Sequence, residues 1–239
     1  KNLVLLGEDR ETTIIDADHQ GRAVNFGENT GIDTSTVLAG FTIRNGQIGD
    51  GNGGGIYMYN GSPILRDLIV ENNYANNGGG IYAYGYLYHD GLSNWDNPDR
   101  KSLFDNIIIR NNQAGNAGGL DFSGSYNQPQ ACILNNLVIE DNETGSVCGG
   151  FQGSKMVLKN SIIRNNHSIG NEVGGGDFNN ATLINVLVEG NEGSTTGGLR
   201  FRGDNSAINL TTSNNNTGWS AELIDIEQEG YLALINSIV

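Results

Sequence analysis

The sequence predicts an all-β chain, a right-handed parallel β-helix of about eight coils with three parallel sheets. Three observations lead there. A short, mostly apolar run recurs every 24–27 residues, with two intervals stretched by inserted loops. Each interval also carries a Gly-Gly pair followed by a short alternating strand. Finally, 36 Gly and 34 Asn stand against 3 Pro, and no stretch keeps apolar residues at helical spacing.

The first strand of each coil starts at Gly40, Asp67, Asn106, Asn136, Asn160, Asn185 and Asn209, and an eighth run starts at Asn236. Successive starts lie 27, 39, 30, 24, 25, 24 and 27 residues apart. A second strand follows the pairs Gly54-Gly55, Gly79-Gly80, Gly118-Gly119, Gly149-Gly150, Gly174-Gly175 and Gly197-Gly198. A third strand closes the coil, as at 63–66, 131–134, 156–159, 182–184 and 232–235. None of these strands buries its apolar face alone. Coils stacked about 4.8 Å apart do so together, and the next coil supplies the crossover that parallel pairing requires. A β-sandwich would need hairpin turns, which this one-directional repeat lacks.

At a fixed offset after the first strand stand Asn73, Asn112, Asn142, Asn166, Asn191 and Asn215. Asn tolerates the left-handed backbone of a sharp corner. Stacked in successive coils, its amides can also form a hydrogen-bonded ladder. These are structural positions. The Gly-Gly pairs are read as the second corner, where positive φ is needed.

Repeats of the form strand-Arg-Asn-Asn, a Gly/Asn corner, then Gly-Gly-Gly-Ile-Tyr resemble bacterial right-handed β-helix repeat proteins. They are similar to the outer-membrane repeats of chlamydial polymorphic membrane proteins and more distantly to pectate-lyase-like enzymes. The opening from Leu3 to Asp16 resembles an early coil of such proteins. The resemblance implies the fold and a set of roles: adhesin, surface scaffold, or polysaccharide lyase or hydrolase. The expected setting is therefore extracellular or cell-surface. Fold does not decide among these roles.

Alternation along the second strand turns Ile56, Met58, Ile81, Ala83, Leu120, Phe122, Phe151, Phe178, Leu199 and Phe201 inward. It turns two columns outward: Tyr57, Tyr82, Asp121, Gln152, Asp177, Arg200, and beside it Tyr59, Tyr84, Ser123, Ser154, Asn179, Arg202. This face grades from aromatic through polar and acidic to basic. Seven of the nine tyrosines fall between Tyr57 and Tyr88, and the insertion at 85–101 adds Tyr86, Tyr88 and Trp95. Tyr57, Tyr59, Tyr82, Tyr84, Tyr86, Tyr88, Trp95 and Arg202 are the candidate ligand contacts, suited to a polysaccharide or a protein receptor. Cross-strand stacking of the tyrosines on one another is the structural alternative.

Catalysis on this face would fall to Asp121, Asp177 and Arg200. The two carboxylates lie two coils apart, about 10 Å at ~4.8 Å per coil. Inverting glycosidases hold theirs roughly 6.5–9.5 Å apart. Asp177 and Arg200, in adjacent coils, are expected to form a surface ion pair. No lysine shares a column with the acids, and His19, His89 and His167 are scattered, so neither a lyase site nor a transition-metal site assembles. No cofactor is implied, except that the Asp50-Gly-Asn-Gly-Gly run is similar to calcium-binding nonapeptide repeats; it never recurs at that spacing. Six Asn-X-Ser/Thr sequons, from Asn60 to Asn215, are little more than this Asn content gives by chance.

A net charge of −14 repels phosphate backbones, so nucleic acid is not expected as a partner. No apolar run has the length of a membrane span. Cys132 and Cys148 are read as buried thiols outside any disulfide. Residues 1–239 read as one β-helix domain of a longer chain, with strand-like runs at both ends. Neighbouring domains or subunits are expected to cover the open ends.

Overall fold

The computed structural model describes residues 3–28, 32–84, 103–124, 132–170, 172–218, 222–227 and 230–238. Among them every regular element is a strand, and all pairing is parallel, in a solenoid of about 7 turns. The eighth apolar run contributes only a bridge from Ile238 to Thr211.

The largest sheet follows the path Val4–Leu6, Val37–Ala39, Ile64–Glu71, Phe104–Arg110, Cys132–Glu140, Met156–Arg164, Thr182–Glu189, Asp204–Ser213 and Tyr231–Ile235. Its long strands join what the sequence pattern presents as the third strand of one coil and the first strand of the next. Inside each sits a residue in the left-handed region: Asp67, Asn106, Asn136, Asn160, Asn185 or Asn209, at φ 49–56°. Asn and Asp bear this conformation at low cost, so the chain turns a corner there without losing its register. The second sheet carries the alternating strands, among them Ile56–Tyr59, Ile81–Tyr84, Leu120–Ser123, Phe151–Ser154, Gly176–Asn179 and Thr196–Arg202. The third is built from two-residue strands such as Gln113–Ala114, Glu143–Thr144 and His167–Ser168, directly after the expected corner.

The inward positions expected from alternation are buried, and Phe104, Phe122, Phe151, Phe178 and Phe201 are at most 1 % exposed. Phe104 meets Phe122 edge-on at 5.7 Å, and Phe151 meets Phe178 at 5.2 Å. Such aromatic pairs add stabilisation beyond their buried area.

The asparagine ladder is present and deeply buried. Asn112 donates from both its backbone N and Nδ2 to Asn142 Oδ1 at 3.0 Å, and its Nδ2 also donates to Val70 O at 2.9 Å. The pattern repeats from Asn73 through Asn191, ending on Asn215 Oδ1. Burial costs little because each inner amide finds both donors and acceptors. Three of the sequons, at Asn142, Asn166 and Asn215, are these buried side chains and are closed to glycosylation in the folded chain.

Two corner assignments need correction. The left-handed residue is not the ladder Asn but the one before it: Asn72, Asn111, Asp141, Asn165, Gly190 or Asn214, at φ 53–64°. The Gly-Gly pairs are not at positive φ either. They are glycines because the coils approach closely: a Cβ on Gly80 would lie 2.7 Å from Gly119 O and 2.9 Å from Asn112 Nδ2. The ladder and the glycine column thus pack against each other.

A charge column on the largest sheet fixes register further. Asp16, Arg44, Glu71, Arg110, Glu140, Arg164 and Glu189 pair in sequence, always with opposite sign. Arg44–Asp16, Arg110–Glu71 and Arg164–Glu140 are at 2.8, 2.8 and 2.6 Å. Exposed pairs of this kind contribute little energy singly, but like charges never meet across adjacent coils.

At both ends apolar side chains face solvent: Leu3, Val4 and Leu6 at one, Tyr231, Ile235 and Ile238 at the other, each 50–69 % exposed. Among the described residues no helix is long and apolar enough to cross a membrane. Cys132 and Cys148 are buried and neither is in a disulfide, as expected. Burial pushes the Cys148 thiol up to about 12.

Candidate functional site: a cleft on the outer face

The second sheet sets its outward columns in the expected register. Tyr57 pairs with Tyr82, Tyr82 with Asp121, Asp121 with Gln152, Gln152 with Asp177, and Asp177 with Arg200. Tyr59, Tyr84, Ser123, Ser154, Asn179 and Arg202 run beside them. Tyr86, Tyr88 and Trp95, with the rest of 85–101, lie outside the described residues.

The four tyrosines form a stacked tile. Tyr57 and Tyr82 lie at 5.7 Å with planes 5° apart, and Tyr59 and Tyr84 at 5.7 Å and 19°. Their faces therefore look along the solenoid axis, not out from the sheet. The Arg22 guanidinium sits 4.4 Å from the centroid of Tyr57 on this tile, a cation–π contact. Stacking among the tyrosines thus holds, and it covers one face of each ring in a cross-coil pair.

At Asp121 the column drops from long rings to short side chains, and the step opens a cleft of about 340 Å³. Tyr82 and Tyr84 line one end and Arg202 the other, with Asp121, Ser123, Gln152 and Ser154 between them. Ser123 and Ser154 link neighbouring coils through their hydroxyls at 3.1 Å. Among the described residues nothing donates a hydrogen bond or an ion pair to Asp121. Burial pushes its carboxyl up to about 7. Burial, and then the neighbouring Asp121, also raise the Tyr82 phenol well above its ordinary value.

Asp177 is in the opposite situation. It is 3 % exposed and meets Arg200 Nη2 at 2.6 Å and Arg202 Nη2 at 3.2 Å. The expected surface ion pair is therefore a buried one, because Arg200 is itself only 7 % exposed. Glu172 reaches Arg200 at 2.6 Å, and Glu227 lies 3.4 Å from Arg200 Nε and 3.0 Å from Arg202 Nε. Burial opposes the Arg200 charge, yet Asp177 and Glu172 more than offset it and hold the guanidinium protonated. Neither Glu172 nor Glu227 stands at a repeating offset, so nothing in the repeat pattern points to them.

Among the described residues the face thus contains one carboxylate without a partner and one clamped by two guanidinium groups, two coils apart. Among the described residues no three His, Cys, Asp or Glu side chains gather to hold a metal ion, and Asp50 sits at an exposed bend. Comparison with family models, curated proteins and solved structures gives no significant match to this chain.

Proposed function

We propose that this chain is a rigid, non-catalytic β-solenoid module that binds a polysaccharide along its outer face, seated in the cleft between Tyr82 and Arg202. One observation carries the proposal: the cleft combines a ring wall with Asp121, unpartnered among the described residues, and a floor of hydroxyl and amide groups. Sugar sites use this mixture, apolar ring faces for C–H groups and fixed polar atoms for hydroxyls. From Tyr82 to Arg200 the face advances four coils, about 19 Å at ~4.8 Å per coil, on a backbone that parallel pairing keeps straight. An extended polymer suits that shape better than a compact ligand.

Hydrolysis is the second reading, and Asp121 favours it, since a carboxyl held near neutral range can act as a general acid. Binding without chemistry is preferred because Asp177 is 3 % exposed and both Arg200 and Arg202 hold its Oδ2, which leaves water little access to it. Adhesion outside the cell or at its surface is the setting in which such a module meets its polymer. End-to-end assembly of such modules is part of the proposal, because the coils around Leu6 and Ile235 expose apolar side chains.

A panel of soluble polysaccharides, scored for equilibrium binding and for released reducing ends, tests the proposal. Binding without product, abolished by Ser154→Trp at an unchanged melting temperature, is the expected result. Failure of every polymer to bind, or binding indifferent to Ser154→Trp, would overturn it. Released product would move the assignment to the hydrolase.

A further inference from the structure

We infer that the cleft recognises a primary ammonium group carried on a sugar, held between the Tyr82 ring and the Asp121 carboxylate. The ligand class is then an amino-sugar polysaccharide with free amines. This deepens the polysaccharide reading above and rests on it.

The argument begins with Tyr82. One face of its ring is covered by Tyr57 at 5.7 Å, in a nearly parallel stack. The opposite face looks toward the coil of Asp121, its register partner, where the shorter side chains leave the cleft. A ring face is the negative end of the aromatic quadrupole and attracts a cation more than it attracts a hydroxyl. The same tile already uses this interaction once, where Arg22 lies over Tyr57. At the next ring face, unoccupied among the described residues, the neighbour is a carboxylate without a partner among them, in place of an arginine.

A carboxylate in that position is poorly solvated and unpaired, a costly arrangement that an incoming cation relieves. Elsewhere in the column the acid is already matched: Asp177 has Arg200 and Arg202. Anionic sugars fit badly, because Asp121 and Asp177 outnumber Arg202 in the lining and the chain carries −14 overall. Neutral sugars would leave the Asp121 charge unpaired.

Among the described residues the groups facing Asp121 are Tyr82, with Tyr57, Tyr59 and Tyr84 behind it, and Gln152 on the following coil. Asp177 with its two arginines lies one coil further. None of these supplies a free cation to Asp121. Because burial raises its carboxyl to about 7, Asp121 is largely neutral in mildly acidic solution and gains its charge as pH rises through that value. Affinity for an ammonium ligand therefore rises over the same interval, until the amine itself loses its proton.

The test is calorimetric titration of the full chain with a glucosamine hexamer and an N-acetylglucosamine hexamer at about physiological salt. The free-amine hexamer should bind about ten-fold more tightly or better near neutrality, and because its amines lose their protons as Asp121 gains its charge, its affinity should pass through a maximum there and fall on either side. Asp121→Asn should erase both the preference and the maximum without lowering the melting temperature. Tyr82→Phe should keep the preference, and Tyr82→Leu should weaken it.

Equal binding of the two hexamers, or a preference that survives Asp121→Asn, overturns the amine assignment while leaving the polysaccharide reading intact. If neither hexamer nor any polymer of the panel binds, the polysaccharide reading itself fails and the inference falls with it. A lysine oligomer that binds in the cleft more tightly than the glucosamine hexamer overturns the sugar part and transfers the site to basic peptides.

Discussion

Replacing Asn166 by Leu tests the ladder at its most enclosed point. Asn166 Oδ1 accepts from Asn142 N at 3.1 Å and from Asn142 Nδ2 at 3.0 Å, while its Nδ2 donates to Ile139 O at 2.9 Å and Asn191 Oδ1 at 3.0 Å. Leu shares the branching at Cγ but is bulkier and supplies none of these atoms. The backbone N–H of Asn142 and one of its amide hydrogens are then left without acceptors in a site that solvent does not reach. Two orphaned buried donors at about 1–3 kcal/mol each give a loss of about 2–6 kcal/mol. Burial of the leucine methyls returns about 1–2 kcal/mol, so the mid-range net loss is about 2.5 kcal/mol. Asn215→Leu, at the 8 % exposed end of the ladder, should cost less because water can reach the orphaned groups. Stacked coils need not unfold in one step, so urea titration should be read together with amide exchange at Asn142 and Asn191. Exchange at the Asn142 amide should accelerate most. An Asn166→Leu midpoint no lower than that of the exposed Glu192→Gln control would refute the ladder's energetic role.

Three further outcomes follow from the same geometry. Arg200→Met strips a cation from Asp177 and Glu172 and should cost about 3–5 kcal/mol, with Asp177→Leu in the same chain recovering much of the loss; a fully additive double variant in urea unfolding would contradict a coupled pair. Lys155 holds φ 54°, a conformation that Asn accepts more readily, so Lys155→Asn should raise stability by about 0.5–1 kcal/mol, and a lowered melting temperature would count against strain there. The folded chain binds a proton at Asp121 more tightly than the unfolded chain, so wild-type stability should fall as pH rises from about 4 to about 7, by at most about 4 kcal/mol. Asp121→Asn should lack that fall, and parallel pH–stability curves for the two proteins would show that the carboxyl is not buried.

The strands and their inward faces were legible because each Gly-Gly pair sets the phase of the alternation that follows it. Asn ladder positions were legible from their constant offset, but the corner was placed one residue late. Pairs such as Asn72-Asn73, Asn111-Asn112 and Asn165-Asn166 make the two positions look alike. Asp141-Asn142 and Gly190-Asn191 separate them: the first position accepts Asp or Gly, as a left-handed residue does, and the second is always Asn because only an amide both donates and accepts along the stack. Three sheets were expected, but the strands that build the third were not identified, because two-residue strands are too short to show alternation. The sign alternation of Arg44, Glu71, Arg110, Glu140, Arg164 and Glu189 was open to reading at one fixed offset, and it reports register as directly as any apolar pattern.

The cleft was half legible. Its columns follow from strand phase, yet the step from Tyr82 to Asp121 becomes a cavity only when the rings are seen to stack along the axis. That Asp177 is buried and, among the described residues, Asp121 unpartnered depends on Arg202 reaching Asp177 and on Glu172 and Glu227 holding the arginines beside it. Only the first of these three stands at a repeating position.

Backbone amide NMR of the full chain, titrated with the polysaccharide that binds in the panel, tests the central claim most directly. Shifts concentrated on Tyr82, Asp121, Gln152, Ser154 and their coil neighbours, with the largest sheet and both end coils unmoved, are the expected result. Shifts confined to the end coils around Leu6 or Ile235, or to the charged column from Asp16 to Glu189, would contradict a binding cleft on the outer face.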